Sequence, residues 1–146
     1  MVSPELVTEL KQRLPAAAIV EGTHLQGRSS DWHGLQPLRA PLLLRPASTE
    51  EVSRILAACH AANQPVIVHG GLTGLVHGTD TTEAEIVDAL ERMRAIESID
   101  PMQRVAIVQA GVTLQALQEA ADAQGLSFPL DLGARAVGEG HRDEAE

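Results

Sequence analysis

Val66, Ile67 and Val68 stand together after Pro65 and run almost directly into Gly70-Gly71. A short apolar run with no polar alternate, bounded by proline and glycine, is the pattern of a strand buried on both faces, as in parallel sheets covered on both sides. The upstream sequence supplies a second such strand and a helix between the two. Leu42-Leu43-Leu44-Arg45 stops at Pro46, and Ser48-Thr49-Glu50-Glu51 has the Ser-x-x-Glu spacing in which two orphan helix donors are satisfied reciprocally. Val52, Ile55, Leu56 and Cys59 are then expected to line one helical face, with the helix ending near Asn63 before Pro65. Strand, helix and strand over this length predict a right-handed crossover with parallel strands.

Around that unit the text is more ordinary. Ser3-Pro4 reads as an N-cap and first helical position, followed by Leu6, Leu10 and Leu14 up to Pro15. From Glu21 to Pro41 glycines, serines and prolines dominate, predicting an irregular covering segment anchored by Trp32. Residues 85–90 and 95–100 read as weaker strands around a charged turn holding Glu91, Arg92 and Arg94, and residues 104–112 as a stronger one. Thr113 is expected to cap a helix bearing Leu114, Leu117 and Ala121 that stops at Gly125, with Leu126-Ser127-Phe128 beginning another strand, so that the strand-helix-strand theme recurs. After Arg135 the acidic stretch AVGEGHRDEAE reads as a frayed tail.

Composition narrows the function classes. At 146 residues the chain is one ordinary domain. Trp32 and Phe128 are its only aromatic residues, leaving almost no material for stacking on bases, and a net charge of -9 argues against nucleic acid. Cys59 is the only cysteine, so no intramolecular disulfide or cysteine-rich zinc site is available. No signal peptide and no membrane span of about 20 apolar residues is evident, which makes the cytoplasm the default address.

The chemistry is expected in PVIVHGGLTGLVHGTD, residues 65–80, where a strand opens into a loop with Gly70, Gly71, Gly74 and Gly78. Glycines there let successive amides turn inward through φ values other residues resist, forming a concavity for phosphate oxygens without a cation. The spacing excludes a P-loop and a Rossmann turn. By pattern alone, a long loop with no ligand is the equal alternative.

These residues resemble a family. Pro46 to Val52, Pro65 to Gly78, Leu90-Glu91-Arg92-Met93, Ile99-Asp100, Ala110-Gly111-Val112 and Phe128-Pro129-Leu130-Asp131-Leu132-Gly133-Ala134-Arg135 together look like the FAD-binding domain of vanillyl-alcohol-oxidase (PCMH-type) flavoproteins. The branch is that of FAD-linked D-lactate dehydrogenase, the glycolate oxidase flavin subunit and D-2-hydroxyglutarate dehydrogenase. The resemblance implies an α+β fold of the PCMH type, its first subdomain complete and its second truncated. It implies a lead-in over 1–36, the FAD-binding domain over 37–135 and a disordered tail over 136–146. It also implies that Gly70, Gly71, Leu72, Thr73, Gly74 and Leu75 wrap the FAD pyrophosphate, with Val68 and His69 leading in and His77 and Gly78 closing the loop. Pro129, Leu130, Asp131 and Leu132 match the segment that approaches the flavin from the second subdomain. No catalytic residue and no metal ligand is assigned.

Two positions depart from the family: Leu72 stands where Asn, Gly or His is frequent, and His77 where Gly is. The Gly- and Asn-rich stretch and the substrate domain that usually follow Arg135 are not in this sequence, so the expectation is a truncated chain that closes no substrate site alone. Among the histidines, His69 and His77 are the one candidate metal pair and, by the resemblance, candidate points of covalent flavin attachment, with structural or solvent-facing roles favoured. Cys59 reads as a buried structural thiol, Arg135 as a surface residue or a flavin neighbour, and Asp131 as a turn residue or a site acid. Asp80 is expected to face away, because an acid beside a phosphate is repelled. The functional expectation is an FAD-binding segment of a D-2-hydroxy acid oxidoreductase. The alternatives are a noncatalytic remnant or interaction module that binds no flavin, and a subunit completed by a separately encoded chain; an exposed edge further predicts self-association.

Overall fold

The computed structural model describes residues 1–131 and divides the chain into two compact units, Met1–Arg92 and Met93–Glu146. In the first, helix α1 (Pro4–Arg13) begins as expected: the Ser3 hydroxyl accepts from the Leu6 amide at 3.1 Å, and Pro4 occupies the first turn. Leu6, Leu10 and Leu14 are all buried. Strands β1 (Ile19–Glu21), β2 (Leu42–Leu44), β3 (Val66–His69) and β4 (Ile86–Ala89) form one sheet in the order β1-β2-β4-β3. Only β1 is antiparallel; β2, β4 and β3 run parallel. Helix α2 (Thr49–Ala61) links β2 to β3, so the two are parallel as expected, but they are not neighbours, because β4 lies between them.

The alternation of side chains across the strands sorts the core into two layers. Leu42, Leu44 and Ile86 meet Leu6, Leu10, Ile55, Ala58 and Cys59 of the helices. On the other face Leu43, Val87 and Ala89 meet Val20 and Ala40, with Leu25 and Leu38 of the irregular segment packed against them. That segment thus does the work of a missing helical layer.

Several expectations are corrected. Leu56 is 44% exposed, because the inner face of α2 follows Ile55, Ala58 and Cys59 at i, i+3 and i+4 and leaves Leu56 a quarter-turn away. Trp32 does not anchor residues 22–41; it is 42% exposed, and Ser30, fully buried, takes that place. Strand β1 has only three residues and so carries no periodicity that would mark it in the sequence.

In the second unit β5 (Ile96–Asp100) and β6 (Val105–Val108) pair antiparallel, and helix α3 (Leu114–Asp122) follows, with the Thr113 hydroxyl accepting from the Ala116 amide. Gly125 turns left-handed at φ +70° to stop it. Residues 126–128 form no strand, for no ladder partner meets them among the described residues, so the second half is hairpin then helix. Leu132, Arg135 and the acidic tail lie outside the described residues.

Strand β4 is buried throughout, and it carries an acid. Asp88 is 1% exposed, and its Oδ1 has no hydrogen-bond partner among the described residues. Burial pushes its carboxyl up to about 6. Burial, and after it the charge of Asp88, pushes the Cys59 thiol to about 11, in keeping with a structural thiol. Because the folded-state value of Asp88 lies above the unfolded one, its contribution to stability is greatest at acid pH and falls as pH rises from about 4 through about 6. Asp88→Asn is expected to remove that fall and to stabilise the chain at pH 8 by up to about 3 kcal/mol. Urea unfolding at pH 5 and pH 8 checks it, an unchanged slope between the two counting against it.

Candidate functional site

Because β2, β4 and β3 run parallel, their carboxyl ends share one rim of the sheet, the edge at which open α/β sheets bind ligands. Three features gather there: Arg45 after β2, a 3-10 turn Leu90–Arg92 after β4, and the glycine loop after β3. A cleft of about 220 Å3 lined by Met1, Ser3, Asn63, Gln64, Pro65 and Ala84 lies at the opposite end, where β3 and β4 begin.

Glu91 is the electrostatic centre of the rim. Arg28 holds it through two bonds, Nη1 to Oε2 at 3.1 Å and Nη2 to Oε1 at 3.0 Å, and Arg45 Nη1 donates to Oε1 at 3.2 Å. Arg92 in turn donates to the Arg45 carbonyl at 2.8 Å. Burial alone would push the Glu91 carboxyl up; the two guanidinium groups outweigh it and hold the group below its ordinary value. The stabilisation from this pairing is therefore present above the ordinary glutamate range and is lost as pH falls through the lowered value.

The loop itself presents backbone. Among the described residues, no amide from Gly71 to Gly78 donates a hydrogen bond. Gly70, Gly74 and Gly78 have nothing within 4 Å of where a Cβ would stand. Left-handed φ falls not on these glycines, as the sequence suggested, but on Leu72 (+56°) and His77 (+60°), the two positions that depart from the family pattern. The glycines serve instead by leaving their faces bare, which allows close approach of a ligand to the main chain. Leu75 and Val76 are exposed at the tip, and Val68 is half exposed on edge strand β3.

His69 is placed differently from its neighbours. It is 4% exposed, and its Nε2 lies 2.9 Å from the Thr79 carbonyl. A carbonyl only accepts, so Nε2 carries the proton. Burial keeps the ring below the usual imidazole range, and the positive charge of Arg28 acts in the same direction. Its side chain joins the base of the loop to Thr79. The His77 Nδ1 lies 3.2 Å from Asp80 Oδ2, and the Asp80 amide donates to the His77 carbonyl, so Asp80 turns back on its own loop. Among the described residues no group of three or more His, Cys, Asp and Glu is placed to hold a metal ion. Pro129, Leu130 and Asp131 belong to the second unit and are exposed there, with Gln118 Nε2 donating to the Leu130 carbonyl at 2.7 Å.

Sequence reasoning missed Arg28, Arg45, Ser30, Thr79 and Thr81, and it read Glu91 as part of a solvated turn and of a family segment, without its arginine partners. Their partners lie 42 to 63 residues away, a distance at which no local pattern signals contact.

The fold is that of PCMH-type flavoproteins. It matches alkyldihydroxyacetonephosphate synthase with a TM-score of 0.80 at 22% identity, over 94% of this chain and 29% of that one. It matches p-cresol methylhydroxylase at 0.68 and 16%, over 84% and 25%. Residues 40–138 match the FAD binding domain family, and the chain belongs to it. Its cofactor is FAD, and the unpaired amides beside bare glycine faces fit a diphosphate. Mitochondrial D-2-hydroxyglutarate dehydrogenase of Bos taurus is 33% identical over 92% of this chain and 25% of its own length. D-lactate dehydrogenase of Archaeoglobus fulgidus is 44% identical over 67% and 23%. The chain thus spans about a quarter of the length of these curated relatives. No helix among the described residues is long and apolar enough to cross a membrane.

The left-handed φ of exposed His77 has a measurable consequence. His77→Gly is expected to be more stable than His77→Ala by about 1 kcal/mol, the same direction in which glycine fits the left-handed region. Thermal unfolding of the two variants checks it, and alanine equal to or above glycine would contradict the backbone assignment.

Proposed function

We propose that this chain is the FAD-binding segment of a flavoprotein that oxidises the CH–OH group of a D-2-hydroxy acid. The observation that supports the reading most is the run of unpaired amides from Gly71 to Gly78 at the carboxyl rim of a parallel sheet. In this reading Gly70, Gly71, Leu72, Thr73, Gly74 and Leu75 hold the pyrophosphate through main-chain N–H groups, and His77 and Gly78 close the loop. Arg28 and Arg45 share one carboxylate, so the Glu91 cluster keeps a net positive charge on the same rim and favours an anion electrostatically. When bound, FAD supplies the acceptor for a hydride equivalent from the carbon that bears the substrate hydroxyl. The substrate class follows the D-2-hydroxyglutarate and D-lactate dehydrogenases among the relatives.

Titrating the purified chain with FAD and reading absorbance near 450 nm after gel filtration tests the reading. Stoichiometric retention is expected. Gly74→Asp places a carboxylate in the open space beside the loop without a steric clash, and it should weaken FAD binding at least tenfold while leaving unfolding unchanged. A folded chain that retains no FAD would favour the alternative, a module that keeps the fold without the cofactor.

The second unit supports a further expectation, self-association. Val105 and Ile107 of β6 are about half exposed, and a two-stranded sheet leaves such a face uncovered. Sedimentation velocity should show association that rises with concentration and is removed by Ile107→Lys. A clean monomer at all concentrations rejects it.

A further inference from the structure

Thr79, just beyond the last glycine of the loop, is bound from two directions. Its carbonyl accepts from the buried Nε2 of His69, the residue immediately before the loop, at 2.9 Å. Its hydroxyl donates to the Ser30 carbonyl at 2.6 Å. Two residues on, the Thr81 hydroxyl lies 3.1 Å from Ser30 Oγ and accepts from the Arg39 amide at 2.8 Å. Ser30 is 0% and Thr81 6% exposed, so the bond between their hydroxyls is shielded from water and holds its geometry.

Ser30 is itself seated firmly. Its amide donates to the Gln36 carbonyl at 2.8 Å. Next to it Asp31 Oδ1 accepts from Ser29 Oγ at 2.6 Å and from the Gln36 amide at 2.9 Å. The segment that first reads as irregular cover is therefore a preformed support, tied by its own turn and then to the exit of the glycine loop.

We propose that Ser30, His69 and Thr79 form a positioning clamp that fixes the mouth of the glycine loop and so presents the amides of Gly71 to Gly78 in a ligand-ready arrangement. His69 joins the entry of the loop to its exit, and Thr79 joins the exit to the 28–39 segment. The nine residues between His69 and Thr79 hold few bonds of their own, so the separation of their ends sets where their amides point. Preorganisation of this kind is what an anion-binding loop without a lysine needs, since every amide not ordered beforehand must be ordered on binding. The inference rests on the reading of this loop as the FAD site, but the clamp has a consequence in the chain without FAD.

Thr79→Val keeps shape and volume and removes the hydroxyl donor; Thr79→Ser restores it. In the full chain without FAD, Thr79→Val is expected to speed thermolysin cleavage before Leu72, Leu75 or Val76 about fivefold. The thermal midpoint should stay within about two degrees, and Thr79→Ser should return the rate to that of the parent. With FAD, the dissociation constant of Thr79→Val should rise about tenfold and that of Thr79→Ser less than twofold. Unchanged cleavage, unchanged affinity in a parent that binds FAD, or losses that simply follow a lowered midpoint would each overturn the clamp. If the parent itself binds no FAD, the reading of the loop as a flavin site fails, and the cleavage rates alone decide the clamp.

Discussion

Burial of β4 on both faces is the constraint on which the first unit depends. Ile86 meets the helix layer, while Val87 and Ala89 meet the layer built from β1 and the irregular segment. A central strand of only four residues can be covered on both sides only if helix α2 returns on one face and residues 22–41 fold over the other. The chain accepts a buried carboxyl at Asp88 within that strand, against the usual preference for apolar central positions. It also uses the exit of the same strand to place Glu91 where two arginines converge.

The site follows from that geometry. Parallel strands bring their carboxyl ends to one rim, and the loop after β3 begins there with its amides unspent. Ordinarily a loop with so few internal bonds would be poorly determined. Here its two ends are fixed by a buried imidazole and a threonine, and the long segment before β2 supports the threonine. The departures from the family pattern acquire a physical meaning in this setting. Leu72 and His77 occupy the left-handed φ that glycine or asparagine adopts most easily, a backbone requirement at both positions. This chain meets the requirement with side chains that strain it.

The second unit has a different balance. Its hairpin and helix carry the apolar residues expected of a core, yet Val105 and Ile107 remain half exposed because two strands make too small a sheet to bury both faces. Apolar patterning reports what a strand could bury; whether it is buried depends on what lies against it.

The same distinction separates what was legible in the sequence from what was not. The elements of the core could be read because their signals are local: Leu6, Leu10 and Leu14 at helical spacing, Ser48 and Glu51 at a helix start, Thr113 before α3, and apolar runs stopped by proline or glycine. FAD was legible too, through the resemblance to a flavoprotein family, which the match of residues 40–138 bears out. The insertion of β4 between β2 and β3, the exposure of Trp32 and the unpaired state of residues 126–128 were not. Nor were the Arg28–Glu91–Arg45 cluster and the bonds of Ser30 to Thr79 and Thr81. Each depends on which distant segments meet, and the energy of such meetings comes from packing and hydrogen bonding across dozens of residues, where sequence spacing carries no information. By itself the sequence determined the local elements and the family; the tertiary structure decided how the glycine loop is held and which side chains stand beside it, because those contacts join segments far apart in the chain.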